Sequence, residues 1–243
     1  MHLSQKRLVI AIDGPAASGK STTAKLVAES LGYLHVDTGG MYRAVTLKVL
    51  RSGIELNDVE PISKLVESTH VELSSLEEVR QPADSSLKIV LDGEDVTHAI
   101  RLPEVTRSVS AVSSIKQVRA AMVREQQRMG ASGGIVMDGR DIGTVVFPSA
   151  DLKLFMTAGI DERAKRRAEE LKSKGLGANI EMLQKEIAER DRLDSTRDES
   201  PLRKADDAIE LDTSNLTIDE QVEFILAKAK TLSGAKGIEI FDE

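Results

Sequence analysis

The 243-residue chain has no cysteine and no tryptophan, and aromatic residues make up 2% of it. Without cysteine there are no disulfides, thiolate metal sites or thiol nucleophiles. With so few aromatics, the platforms on which single-stranded nucleic acids stack are missing, and the core must be built from Leu, Ile, Val, Ala and Met. Histidine is also scarce. His2, His35, His70 and His98 fall in no H-E-x-x-H or H-x-x-E-H spacing, which argues against a zinc hydrolase; each reads as structural or solvated. The net charge of −7 leaves no general basic field for a nucleic-acid polymer, although 33 Lys and Arg suffice for a local basic pocket. The first apolar run, residues 8–12, is far short of the ~20 residues needed to cross a bilayer. The expectation is a cytoplasmic protein with no membrane partner, and a monomer.

What is present begins with residues 8–23, LVIAIDGPAASGKSTT. A strand-like apolar run meets Gly14, and Gly19-Lys20-Ser21 completes G-x-x-x-x-G-K-[ST], the P-loop pattern. Such a loop, here Gly14, Pro15, Ala16, Ala17, Ser18, Gly19, Lys20, Ser21 and Thr22, points backbone N–H groups inward at phosphate oxygens. The helix starting near Lys20 adds its positive N-terminal end. Lys20 is placed to reach the β- and γ-phosphates of ATP, and the Ser21 hydroxyl to hold Mg²⁺.

Strand and helix signals then alternate. Residues 20–31 read as a helix closed by Gly32, 33–36 as a strand, 39–51 as a helix, 114–129 as a helix, 135–137 and 151–156 as strands, 160–174 and 179–193 as helices, 208–211 as a strand and 218–232 as the closing helix. That alternation predicts an α/β protein, a P-loop three-layer fold on a five-stranded parallel sheet. Residues 57–107 differ, with VELSSL and LKIVLDGEDVTHAI around the turn signal Asp92-Gly93. They read as an inserted subdomain with helical pieces around a short antiparallel sheet. The P-loop core then comprises 1–56 and 108–243, with a lid near 158–178 inside it. Residues 81–86 read as a loop, and the tail 233–243 carries a Gly-Ala-Lys-Gly hinge.

In a parallel sheet, ligands bind at the carboxyl ends of the strands. Three strand ends carry chemistry: Asp13-Gly14, Asp37-Thr38-Gly39 and Asp138-Gly139-Arg140-Asp141. Ile135-Val136-Met137-Asp138 resembles a Walker B strand, so Asp138 either approaches Mg²⁺ through water, orients Arg140, or caps a turn. Arginine suits a site that crowds phosphates, because its planar fork binds them bidentately and stays charged. Arg43 and Arg140 each follow a strand-end loop. Arg163, Arg166 and Arg167 share a helix side, either as a site or as a solvated cationic face with Glu169 and Glu170. Arg190, Asp194 and Arg197 share another if that helix continues, either as a site or as an ordinary ion pair.

The segments IDGPAASGKST, DTGGMYRAVT, DGRDIGTVVFP, ERDRLDSTRDESPL and ADDAIELDTSNLTIDEQV together resemble the bacterial cytidylate kinases, a branch of the nucleoside-monophosphate kinases. They run from residue 10 to about 226, and DGRDIGTVVFP is far more specific than the P-loop. Gly40 stands where the family commonly has Ala, and Ser18 replaces a small apolar or Gly position; neither touches a charge. The resemblance implies that ATP phosphorylates CMP or dCMP with Mg²⁺. It implies an acceptor phosphate gripped by Arg43, Arg140 and Arg197, with Thr38 and Asp138 at the substrate site. Ser110, Arg119 and Asp141 would read cytosine, and Arg190 and Asp194 would hold the ribose. Arg163 and Arg167 would act from the lid, with Lys20, Arg140 and Arg197 as the other catalytic groups. Rival readings are a kinase for UMP, AMP or a shikimate-like acceptor, and a non-catalytic nucleotide-sensing P-loop module. The last would have lost its acceptor-side arginines.

Overall fold

The computed structural model describes residues 7–74, 88–173 and 175–236. The loop expected at 81–86, the end of the tail beyond 236 and His2 lie outside them. The chain divides into two compact units, residues 1–35 with 130–243, and residues 36–129. The second unit is therefore larger than the insertion of 57–107 expected from composition. It takes in the helix after strand two and both helices that follow the small sheet.

The first unit holds the P-loop. Its strands are β1 (Val9–Asp13), β6 (Ile135–Gly139), β7 (Leu152–Thr157) and β8 (Ile209–Asp212). With β2 (Leu34–Asp37), which leads from the first unit into the second, they form a five-stranded parallel sheet in the order β2-β6-β1-β7-β8. β1 sits in the middle, with Ile12 opposite Asp138 and Asp13 opposite Gly139. Central strands of a parallel sheet are covered on both faces, and VIAID accordingly reads as a continuous apolar run. The helices α1 (Lys20–Leu31) and α8 (Ile218–Lys236) cover one face. Ala24, Val27, Ala28, Leu31, Ile225 and Ala229 pack there against Ile10, Ile12, Leu154, Met156 and Leu211. Each large aliphatic side chain so buried contributes about 1.5–3 kcal/mol. α1 closes on Gly32, as expected, in the left-handed conformation with its N–H on Ala28 and Glu29 carbonyls. α6 (Ile160–Ser173) and α7 (Ile180–Thr196) pair through Ala164, Leu183 and Ile187, against which Ala17 of the P-loop packs. α7 runs three residues beyond the expected 193, far enough to carry Asp194 on its last turn.

The second unit holds α2 (Thr38–Arg51), α3 (Val59–Glu67), the antiparallel strands β3 (Val71–Ser74), β4 (Lys88–Leu91) and β5 (Glu94–Asp95), then α4 (Pro103–Ser113) and α5 (Lys116–Gly130). Gly130 itself falls in the first unit. Asp92 and Gly93 form the β4–β5 turn at φ 49° and 87°, the doubly left-handed turn that suits the twist of a hairpin. Val105, Val109 and Val112 bury one stripe of α4, which packs on α2.

Gly14 marks the point where β1 becomes the loop. Its φ is 149°, and a Cβ there would fall 2.0 Å from the Met156 carbonyl oxygen on β7. Only glycine lets the chain turn this close to its neighbouring strand. Replacing Gly14 by Ala should cost about 1–3 kcal/mol. A urea titration should show this as a lowered midpoint with an unchanged slope.

Candidate nucleotide site

Lys20 opens α1 beneath the loop and is buried. Its Nζ turns back into the loop, donating to the Pro15 carbonyl at 2.6 Å and to Ser18 Oγ at 3.1 Å. Burial, helped by the nearby positive charges of Arg140 and Arg190, brings its pKa down to about 7, against the opposing pull of Asp138 and Asp13. A cation costs free energy in a dry pocket unless an anion arrives, so the loop holds an ammonium that gains by meeting phosphate. Thr213, after β8, supports the loop from outside, its hydroxyl donating to the Ser18 carbonyl at 3.0 Å.

Ser21 Oγ donates to Asp138 Oδ2 at 2.6 Å. The other oxygen of Asp138, Oδ1, meets His35 Nε2 at 2.8 Å. Asp138 thus faces the Ser21 hydroxyl at the loop, while Arg140 meets the carboxylate of Asp194. Among the described residues, no group of three or more His, Cys, Asp or Glu could hold a metal ion. One hydroxyl beside one carboxylate instead fits Mg²⁺ that keeps waters and takes further oxygens from phosphate. His35, read from the sequence as structural or solvated, braces the carboxylate of this pair. The bond spans 103 residues of sequence, and nothing local announces it.

Arg140 and Arg197 share a carboxylate. Arg140 Nε donates to Asp194 Oδ2 at 2.8 Å, and Arg197 Nη1 lies 3.7 Å from Asp194 Oδ1. Arg197 Nη2 also lies 4.0 Å from Asp141 Oδ1, and two of its nitrogens donate to the Ser200 carbonyl at 2.8 and 2.6 Å. Burial works against ionisation of Asp194, but Arg140, followed by Arg190 and Arg197, outweighs it and holds the carboxyl below its usual range. Arg190, Asp194 and Arg197 therefore belong to one cluster with Arg140 rather than to an isolated pair on α7.

The arginines of α6 do not form one cationic face. Arg163 is buried, bonded to Asp191 and to the Ala158 and Ala16 carbonyls, the latter two at 2.9 and 3.3 Å. Asp191 in turn accepts from the Ala16 N–H at 3.3 Å. The two side chains thus clamp both backbone groups of a P-loop residue, a role the sequence reading did not assign to Asp191. Arg166 donates to the Thr213 hydroxyl and carbonyl at 3.0 and 2.6 Å, and Arg167 pairs with Glu170 at 2.5 Å.

In the second unit, Asp37 caps α2 by accepting from Gly40 N–H at 3.0 Å and binds Arg43 Nη2 at 2.7 Å. Thr38, the first residue of α2, is buried. The Cβ that Gly40 lacks would fall 2.3 Å from Ile89 Cδ1, so β4 occupies that space. Ser110 lies on α4. Arg119, buried on α5, donates to the Ser113 carbonyl at 3.1 Å and stands 5.2 Å from the Tyr42 ring centre.

Set against known proteins, the family described as cytidylate kinase matches residues 10–231. A cytidylate kinase of Bacillus subtilis (strain 168) is 49% identical over 222 residues, covering 91% of this chain and 96% of that protein. The cytidylate kinase of Bacillus cytotoxicus is 49% identical over the same span and coverage, and one of Bacillus cereus (strain ATCC 10987 / NRS 248) is 48% identical over 222 residues, again 91% and 96%. With a matching family pattern and such relatives over nearly its whole length, this chain belongs to the cytidylate kinase family.

Proposed function

We propose that this chain transfers the γ-phosphoryl group of ATP to CMP or dCMP, giving ADP with CDP or dCDP. One observation carries the reading beyond family membership. The unit that holds the P-loop lysine also holds the guanidinium pair Arg140 and Arg197, with Arg140 close enough to lower the Lys20 pKa. Two polyanions brought head to tail need cations on both sides of the transferred group.

The loop from Gly14 to Thr22 holds the ATP phosphates through its N–H groups and Lys20. Mg²⁺, held by Ser21 with Asp138 near it, offsets phosphate charge when bound. Arg43, Arg140 and Arg197 take the acceptor phosphate, Ser110, Arg119 and Asp141 the cytosine, and Arg190 and Asp194 the ribose hydroxyls, with Thr38 beside them. An acceptor phosphate oxygen attacks the γ-phosphorus directly. The bond from that phosphorus to the β–γ bridging oxygen breaks, and ADP leaves. A phosphate dianion needs no base to make it nucleophilic, so no covalent enzyme intermediate enters. Catalysis is positioning plus stabilisation of charge on the transferred group. Arg163 and Arg167 act from α6, where the clamp on Ala16 joins that helix to the loop, and closure there keeps water from the γ-phosphate.

An ADP-release assay with CMP, dCMP, UMP and AMP side by side tests the acceptor: CMP and dCMP should turn over well above the others. Equal turnover of AMP, or none with any acceptor, defeats the reading. Arg140→Ala should lower kcat/KM for CMP by about 10²–10³-fold while circular dichroism still reports a folded chain.

Lys20 provides a pH test. Its free-state pKa of about 7 leaves it mostly neutral at pH 8, and phosphate restores its charge. ATP binding should then take up protons at pH 8, and less at pH 6. Calorimetry in buffers of different ionisation heat measures this uptake. Lys20→Arg, permanently charged, should bind ATP without it.

A further inference from the structure

Asp13 ends β1 immediately before the phosphate-binding loop, and nothing in the reaction above uses it. It is buried, and both its oxygens are engaged. Oδ1 accepts from the Ile142 N–H at 2.8 Å and Oδ2 from the Gly143 N–H at 2.7 Å. These two amides follow Arg140-Asp141 and open a π-helical turn, Ile142–Val146. Within that turn, the amides of Val145, Val146 and Phe147 bond to the Asp141 and Ile142 carbonyls, so those of Ile142 and Gly143 must look outside it, as the first amides of any helical turn do. Left unpaired at this depth, each would carry the desolvation penalty of a buried donor without an acceptor. One carboxylate pairs both with charge-assisted bonds.

The opposite side of the turn is held as well. Lys153 Nζ donates to the Pro148 carbonyl at 2.5 Å and to Asp207 Oδ1 at 2.9 Å. A Cβ on Gly143 would stand 3.2 Å from Lys153 Cδ and 3.3 Å from Asp13 Oδ2. The glycine lets the carboxylate and the lysine stem close on the backbone from two sides. Burial pushes the Asp13 carboxyl up to about 6, with the two N–H bonds resisting.

We propose that Asp13 is a positioning residue for the acceptor nucleotide. By pinning the Ile142 and Gly143 amides, it fixes where Arg140 and Asp141 point, and it touches no substrate itself. The effect on acceptor binding rests on the transfer reaction proposed above. The pinning does not, so the two are measured separately.

Amide hydrogen exchange needs no substrate. In Asp13→Ala, the amides of Ile142 and Gly143 should exchange at least about tenfold faster than in the wild-type chain, while those of α8 keep their rates. In steady-state kinetics, KM for CMP should rise about tenfold and KM for ATP stay within about twofold. Asp13→Asn, which keeps the shape and one acceptor oxygen, should fall between the two and serves if the alanine variant fails to fold. Unchanged exchange at 142 and 143 in a folded variant overturns the pinning. A CMP KM within about twofold of wild type, or an equal rise for both substrates, overturns the role in acceptor positioning. A wild-type chain inactive on CMP defeats the transfer reading and leaves the exchange result standing.

Discussion

The buried carboxylate of Asp194 between two guanidinium groups is the interaction on which the rest of the P-loop unit depends. A site for phosphates must gather positive charge before its ligand arrives, and gathered charge repels itself. Arg140 and Arg197 meet Asp194 at 2.8 and 3.7 Å, with Arg190 near enough to act on the same carboxyl. Removing that carboxylate would take away the negative charge that all three guanidinium groups act on. Keeping it fixes the guanidinium planes of Arg140 and Arg197. Lys20 is solved differently. It has no carboxylate partner at bonding distance among the contacts that the described residues make, and it relaxes by lowering its pKa and turning into the loop.

The buried carboxylates of this unit divide the work by partner. Asp194 holds guanidinium groups, Asp138 holds a hydroxyl and an imidazole, and Asp13 holds backbone amides. Asp13 and Asp138 lie at adjacent strand ends of one parallel sheet, whose register sets Asp13 opposite Gly139 and Ile12 opposite Asp138. The sheet therefore delivers the loop, the Ser21–Asp138 pair and the arginine-bearing turn to a common edge without any long-range search. The position of ligands at the carboxyl ends of parallel strands follows from that delivery.

Much of this was legible from residues alone, and the reasons are local. G-x-x-x-x-G-K-S after an apolar run names its own loop, and Gly32 names its own cap, because each rests on backbone freedom only glycine has. The hairpin at Asp92-Gly93 was legible for the same reason. The bounds of α4 were not legible beyond the helical pieces expected within 57–107. Its sequence, PEVTRSVSAVS, is rich in Ser and β-branched residues of modest helix propensity; the buried stripe of Val105, Val109 and Val112 supplies what propensity does not. The π-turn was not legible either, since its first amides are paired by a carboxylate 129 residues away. Helical spacing grouped Arg163, Arg166 and Arg167 on one side of α6, but spacing says nothing of what each reaches. One is buried against the P-loop, one bonds Thr213 and one pairs with Glu170 at the surface.

Those long-range partners also explain why α6 and α7 matter to a loop they do not belong to. Ala16 is bonded through its N–H to Asp191 on α7 and through its C=O to Arg163 on α6, and Arg163 and Asp191 bond each other. Ala17 packs into the apolar contact between the same two helices. A shift of the helix pair must therefore move the loop backbone at Ala16, or else break a mostly buried ion pair. Breaking it would strand charge in a poorly hydrated place. The helices and the loop are coupled by that cost. Phosphate bound in the loop and the arrangement of the two helices must then bias each other equally, as linkage requires.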